Sequence, residues 1–282
     1  MKLFLTLLFS SAFLFASSAF ITPDELRQAM NKEKIILLDT TDSQTYKQGH
    51  IPTALRVDIN DFRHQKEQYQ LMNSPQQIQK VVRSLGINQH SKVVLYGHNK
   101  PKELLKASYI AMALITNGLK DVSILDGGYH EWLFHYEGFT STESLPVKKG
   151  NFRAKFNPNI LVDLNYVKQH IGKVPMIEAR PVRFYNAKAK SSGVRRLGHI
   201  KGATSSAWAD KIDNDYCIKS KKELQDIYKL NPKKEVITYC TGGLEASMNW
   251  YILSQYLHFK DVKLYDASMR EWGNRDDTPM EK

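Results

Sequence analysis

Glu235-Val-Ile-Thr-Tyr-Cys-Thr-Gly-Gly-Leu-Glu-Ala246 is an apolar, β-rich run that breaks into a glycine-containing turn and then into helix-forming residues. A buried strand of this kind delivers Cys240 to the carboxyl edge of a sheet, where open α/β folds bind their ligands. Gly242 and Gly243 let the turn curl so that successive backbone N–H groups point inward at the sulfur. The stretch from Ala246 to Tyr256 has helical character, so the positive end of its dipole faces the same place. Cysteines in such settings have pKa values lowered from ~8.5 to about 3.5–7.5. A depressed thiol pKa and a reactive thiolate are therefore expected at Cys240.

Far upstream, Lys92-Val-Val-Leu-Tyr-Gly97 repeats the strand with glycine where the cysteine stands in the later copy. Ile35-Ile-Leu-Leu-Asp39, Tyr46 and Gly49-His-Ile-Pro-Thr-Ala54 are answered by Val174-Pro-Met-Ile-Glu178, Tyr185 and Gly198-His-Ile-Lys-Gly-Ala203. Asp121-Val-Ser-Ile-Leu-Asp-Gly-Gly-Tyr-His-Glu-Trp132 is answered by Asp261-Val-Lys-Leu-Tyr-Asp-Ala-Ser-Met-Arg-Glu-Trp272. Matched blocks in one order mean a duplicated domain. Within each copy short β-rich runs alternate with amphipathic segments. Ser74-Pro-Gln-Gln77 and Ser220-Lys-Lys-Glu223 open helices at equivalent places, the second as a capping box. The fold class is therefore α/β, with two tandem domains, each a mainly parallel sheet flanked by helices.

The first residues stand apart. Lys2 precedes an apolar run from Leu3 to Ala16 that is shorter than the ~20 residues needed to span a bilayer, and Ser17-Ser-Ala19 follows. Residues 1–19 read as a secretory signal peptide cleaved after Ala19, which makes the protein exported: periplasmic in a Gram-negative bacterium, otherwise secreted. No stable membrane insertion is expected after cleavage. The first domain then covers residues 20–143, and a polar stretch with Pro146, Gly150 and Pro158 makes 144–158 the linker. The second domain covers 159–282.

The net charge of +11 falls by one with Lys2 and favours small anionic substrates. Basic residues are spread along the chain without the basic and aromatic stripe of a nucleic-acid binder, so no nucleic acid is expected. Two cysteines are too few for a disulfide scaffold. Pairing Cys217 with Cys240 would consume the sulfur where chemistry needs it free, and Cys217 reads as a bystander. His50 and His199, like Asp126 and Asp266, occur in both copies and read as structural hydrogen-bonding groups, because one copy has no cysteine to serve.

The chain resembles the two-domain rhodanese-like sulfurtransferases, the thiosulfate and 3-mercaptopyruvate sulfurtransferases. The blocks that carry the resemblance are Gly198-His-Ile-Lys-Gly-Ala203, the loop Cys240 to Ala246, Tyr265-Asp-Ala-Ser-Met-Arg-Glu-Trp-Gly273, Arg275-Asp-Asp-Thr-Pro279 and Glu178-Ala-Arg-Pro181 with Arg183. It implies two rhodanese-like domains, the first non-catalytic and the second catalytic, and ping-pong transfer in which Cys240 becomes a persulfide. The donor is a small anion carrying sulfane sulfur, the acceptor cyanide, a thiol or a sulfur-accepting protein. No metal or organic cofactor is required.

The resemblance implies donor contacts at Thr241, Gly242, Gly243, Leu244 and Glu245, with Arg183 as the clamp for an anionic donor. The loop departs from both familiar patterns. Thiosulfate-type loops resemble Cys-Arg-Lys-Gly-Val-Thr, whose cations attract a dianion that Glu245 would repel. Mercaptopyruvate-type loops resemble Cys-Gly-Ser-Gly-Val-Thr, and Gly242 replaces the serine. An arginine expected before the Gly-His-Ile block is missing, with Ser191 and Ser192 in its place; Arg195 and Arg196 read as an exposed basic loop. A cysteine phosphatase would carry arginine where this chain has Ala246. The reading from another class is a non-enzymatic sulfur carrier or binding module that receives sulfur from a partner protein.

Overall fold

The computed structural model describes residues 18–98 and 100–282. Most of the expected leader, residues 1–17, lies outside them. Ser18 and Ala19 belong to the folded body: the Ser18 carbonyl accepts from Ser123 Oγ, and the Ala19 carbonyl accepts from the Ile124 N–H and the Tyr251 hydroxyl. Among the described residues no helix is long and apolar enough to cross a membrane.

Each half of the chain builds a five-stranded sheet in which every pairing is parallel. The first sheet runs Phe20–Ile21, Val122–Leu125, Lys92–Tyr96, Ile35–Asp39, Leu55–Arg56 from edge to edge. The second runs Leu161–Val162, Asp261–Tyr265, Glu235–Tyr239, Met176–Glu178, Thr204–Ser205. The two orders correspond strand for strand, so the sequence repeat is a structural repeat. Central strands such as Val93–Tyr96 and Val236–Tyr239 are buried on both faces, as parallel strands under helices must be. Ser74 and Ser220 both form reciprocal caps, with Gln77 and Glu223 reaching back to the cap N–H.

One apolar core crosses the boundary between the halves. The helix Pro101–Thr116, buried along nearly its whole length, packs on Leu244–Tyr251, and Ile110, Met112, Trp250, Tyr251 and Leu264 belong to one cluster. Smaller clusters fill the outer faces, around Trp132 in the first half and Trp272 in the second. The helix after Cys240 starts at Leu244, and Ile252–Tyr256 continues it as a π-turn. Residues 144–158 are strapped onto the first half: the Gly150 N–H donates to the Arg83 carbonyl, that of Phe152 to Ile87, and the Phe152 ring is fully buried.

Two aspartates tie the halves together reciprocally. Asp266 accepts from the Met72 N–H at 2.7 Å, and Asp126 accepts from the Ile218 N–H at 2.7 Å. Met72 and Ile218 stand at equivalent positions, two residues before the capping serines. His50 and His199 also behave alike, each stacked on a tyrosine (Tyr46, Tyr185) and paired through Nδ1 to that tyrosine's carbonyl.

Candidate active site

Cys240 follows the last residue of the central strand Glu235–Tyr239 and is fully buried. Its loop is pinned from below. The Cys240 N–H donates to Ser268 Oγ, and the Met269 and Arg270 N–H groups donate to the Cys240 and Thr241 carbonyls. Gly243 has a φ of +87°, the left-handed region that favours glycine, and a Cβ there would stand 2.2 Å from Asp266 Oδ1. The tight turn therefore requires glycine at 243.

The backbone amides of Gly242 and Ala246 lie close enough to the sulfur to pull its pKa down, which is the cradle that the glycines suggested. The Glu245 side chain also folds back over it. Its carboxyl group lies beside the thiol and the Thr241 N–H, both of which pull its pKa down. Burial, together with the negative charge of Glu245, pushes the Cys240 thiol up to about 12, against the pull of the two amides. The expected depressed thiol pKa is thus corrected. Full desolvation penalises the thiolate more than two N–H groups stabilise it, and a carboxylate beside the thiol favours the neutral form. Burial likewise raises the Glu245 carboxyl above the usual carboxylate range, opposed by its bonds to the thiol and Thr241 and by Arg180.

The first half supplies one wall. Its antiparallel hairpin, Arg63–Lys66 and Tyr69–Met72, reaches across to the second half, where Tyr69 joins the cluster around Trp272. Arg63 donates to the Gly242 carbonyl, lies 4.0 Å from Asp266 and sits over the Tyr109 ring. Tyr109 donates to Asp266 at 2.8 Å. Nothing in the sequence marks Arg63, because the hairpin lies outside the repeated blocks.

The equivalent loop of the first half is closed. Gly97 stands at the position of Cys240, and a Cβ there would be 2.6 Å from Glu103 Cβ. The buried Glu103 carboxylate accepts from the His98 N–H. This loop has neither a sulfur nor room for one.

The remaining residues singled out from sequence divide sharply. Arg183, on the short helix Val182–Tyr185, is exposed, with its guanidinium over the Phe184 ring, and makes no hydrogen bond or ion pair through it among the described residues. Arg180 is buried and committed to Glu178, Ser191 and the Gly198 carbonyl. Arg196 is locked onto the Trp272 and Thr278 carbonyls, and Arg195 pairs with Asp276. Leu244 and Thr241 are partly exposed at the mouth. Cys217 is a free thiol against Gly127, held up at about 12 by burial and by Asp126, Asp213, Glu131 and Asp215. Among the described residues no three His, Cys, Asp or Glu side chains converge as metal ligands would. A surface concavity of about 570 Å³, away from the cysteine loop, is lined by Arg83, Gln89 and Arg153.

Two parallel-sheet halves of one topology, with a cysteine at the end of the central strand in only the second, define a duplicated α/β protein with one candidate nucleophile. The family described as the Rhodanese-like domain matches residues 22–135 and 163–275, and the chain belongs to it. The 3-mercaptopyruvate sulfurtransferase of Escherichia coli is 31% identical over 255 residues, covering 86% of this chain and 87% of the relative. The sulfur carrier protein TtuD of Thermus thermophilus is 28% identical over 289 residues, covering 93% and 96%. The crystal structure of SseA from Escherichia coli, a 3-mercaptopyruvate sulfurtransferase, superposes with a TM-score of 0.77 at 26% identity, covering 89% of this chain and 99% of that one. A structure of EanB in complex with ergothioneine has the same fold, with a TM-score of 0.83 at 21% identity over 94% of this chain and 70% of that one.

Proposed function

We propose that the protein moves a sulfane sulfur from thiosulfate, 3-mercaptopyruvate or a related small anionic donor to cyanide or a thiol through a persulfide on Cys240. The observation that carries this reading is the Gly242 and Ala246 amides directed at one sulfur, at the end of the central strand whose counterpart in the first half ends in glycine. Cys240 Sγ attacks the donor's outer sulfur, a new S–S bond forms, and the donor's bond to that sulfur breaks with its electron pair leaving on the donor remnant. The acceptor then attacks the outer sulfur of the persulfide and the Cys240 thiolate departs. The amide cradle stabilises both anions.

Glu245 supplies the missing activation. A thiol held at about 12 is thiolate to a fraction on the order of 10⁻⁵ at neutral pH, too little for efficient attack. Glu245, in contact with the thiol and made more basic by burial, takes the proton as the donor sulfur approaches.

A second reading, a carrier loaded by a partner protein, is favoured by the full burial of Cys240 and by the likeness to a protein named a sulfur carrier. The two part in a cyanide assay. The enzyme reading predicts catalytic thiocyanate formation from at least one free donor in a panel of thiosulfate, mercaptopyruvate and organic persulfides. Turnover of none, with loading only by a partner protein, would establish the carrier instead.

The basic, apolar and small-residue order of residues 1–19 supports export, to the periplasm of a Gram-negative bacterium or to the medium otherwise. N-terminal sequencing of the exported protein is expected to start at or close to Phe20; a start at Met1 would contradict the reading.

A further inference from the structure

Arg270 is the cation of the site that no other group uses. It belongs to the short helix Ser268–Trp272, and its backbone N–H is fixed on the Thr241 carbonyl at 2.9 Å. Its side chain runs along two glycines. The point where a Cβ on Gly242 would stand lies 3.4 Å from Arg270 Cδ and 3.7 Å from Nη1, and the corresponding point at Gly193 lies 3.5 Å from Nε. A Cβ at either position would meet the arginine in ordinary van der Waals contact, so its side chain lies directly along both. Asn274 donates to the Gly193 and Arg270 carbonyls.

The other buried or half-buried arginines around the loop are accounted for, and Arg183, also without a hydrogen bond or ion pair among the described residues, is exposed over Phe184. Arg63 serves Gly242, Arg180 serves Glu178, and Arg196 serves the C-terminal turn. Among the described residues the Arg270 guanidinium makes no hydrogen bond or ion pair, and it is partly exposed beside the cysteine loop. A half-buried guanidinium with its donors free is a site for a carboxylate or a sulfonate-like oxyanion. In the first half the equivalent residue of the repeat is His130, turned toward Glu131 at 3.7 Å. The cation at 270 thus accompanies the cysteine.

We propose that Arg270 binds the anionic end of the sulfur donor and sets the preference of the site for anionic donors, the role that the missing arginine at Ser191 and Ser192 leaves open. This rests on Cys240 being the sulfur-accepting residue. Glu245 shields the sulfur from a free dianion, and Arg270, alongside Gly242, holds the donor's oxyanion end while its outer sulfur is presented to Cys240.

The test is the dependence of Cys240 persulfide formation on donor concentration, in the full chain and in Arg270→Gln and Arg270→Lys, with thiosulfate, mercaptopyruvate and a neutral alkyl hydropersulfide, whose outer sulfur passes to Cys240 as the alkyl thiolate leaves. Arg270→Gln is expected to raise the half-saturating concentration of the anionic donors by about 10- to 100-fold while leaving the neutral donor within about twofold, with partial recovery in Arg270→Lys. An unchanged half-saturation for the anions, or an equal loss for the neutral hydropersulfide, overturns the role of Arg270 and leaves sulfur transfer standing. Failure of the parent protein to form a persulfide with any donor overturns both.

Discussion

Cys240→Ser is expected to reduce thiocyanate formation by about 10⁴- to 10⁶-fold, to background, while Cys217→Ser stays within about twofold of the parent. Serine keeps the shape of the side chain and the Gly242 and Ala246 hydrogen bonds, so the loss isolates nucleophilicity from packing. Cys217 serves as the internal control. It sits among four carboxylates, against Gly127 of the other half, where a thiolate is disfavoured. Parent-like turnover in Cys240→Ser would place the chemistry elsewhere in the molecule.

The second large effect concerns Glu245. In the parent, the logarithm of the rate of persulfide formation should rise with pH as Glu245 deprotonates, above the usual carboxylate range because burial raises it, and then level off. Glu245→Gln is expected to lower the rate by about 10²-fold at neutral pH. It should also abolish the plateau, so that the rate climbs toward alkaline pH with the thiolate fraction alone. The substitution removes a negative charge that raises the thiol, so the thiolate becomes easier to form, yet burial still holds it up. The two effects oppose each other, and the loss of the proton acceptor prevails at neutral pH. A faster reaction in Glu245→Gln at neutral pH would show that the carboxylate only suppresses the thiolate.

Architecture is legible in the chain because duplication wrote it twice. The strands Lys92–Tyr96 and Glu235–Tyr239, the capping serines 74 and 220, and the paired histidines all occupy equivalent places in the two sheets. Parallel strands buried on both faces leave the continuous apolar runs that the sequence displays. The position of Cys240 and the need for glycine at 243 follow from the same local pattern.

What escapes a reading of the sequence is what depends on distance in the chain. The Arg63 hydrogen bond to Gly242 joins residues far apart, through a hairpin outside the repeat, and no spacing announces it. Arg270 is visible as a member of a repeated block but not as a free cation, since that depends on which partners the other arginines take. The protonation of Cys240 comes out wrong from sequence because the helix dipole and the loop amides are local features, whereas complete burial and the folded-back Glu245 are properties of the packed site.

The first half, without a nucleophile, acquires a purpose in this account. It contributes Arg63, Met72 and Tyr109 to the support beneath the cysteine loop and shares its core with the helix that follows Cys240. Retention of both copies follows from that shared core, since separating them would expose the apolar faces of Pro101–Thr116 and Leu244–Tyr251 to water.

The most direct test is the intact mass of the protein after brief incubation with a donor and removal of excess, followed by peptide mapping. A gain of one sulfur atom located on Cys240, and lost again on addition of cyanide with release of thiocyanate, is the predicted result. A Cys240 thiol that stays unmodified while thiocyanate accumulates, or a sulfur gained only on Cys217, would contradict it.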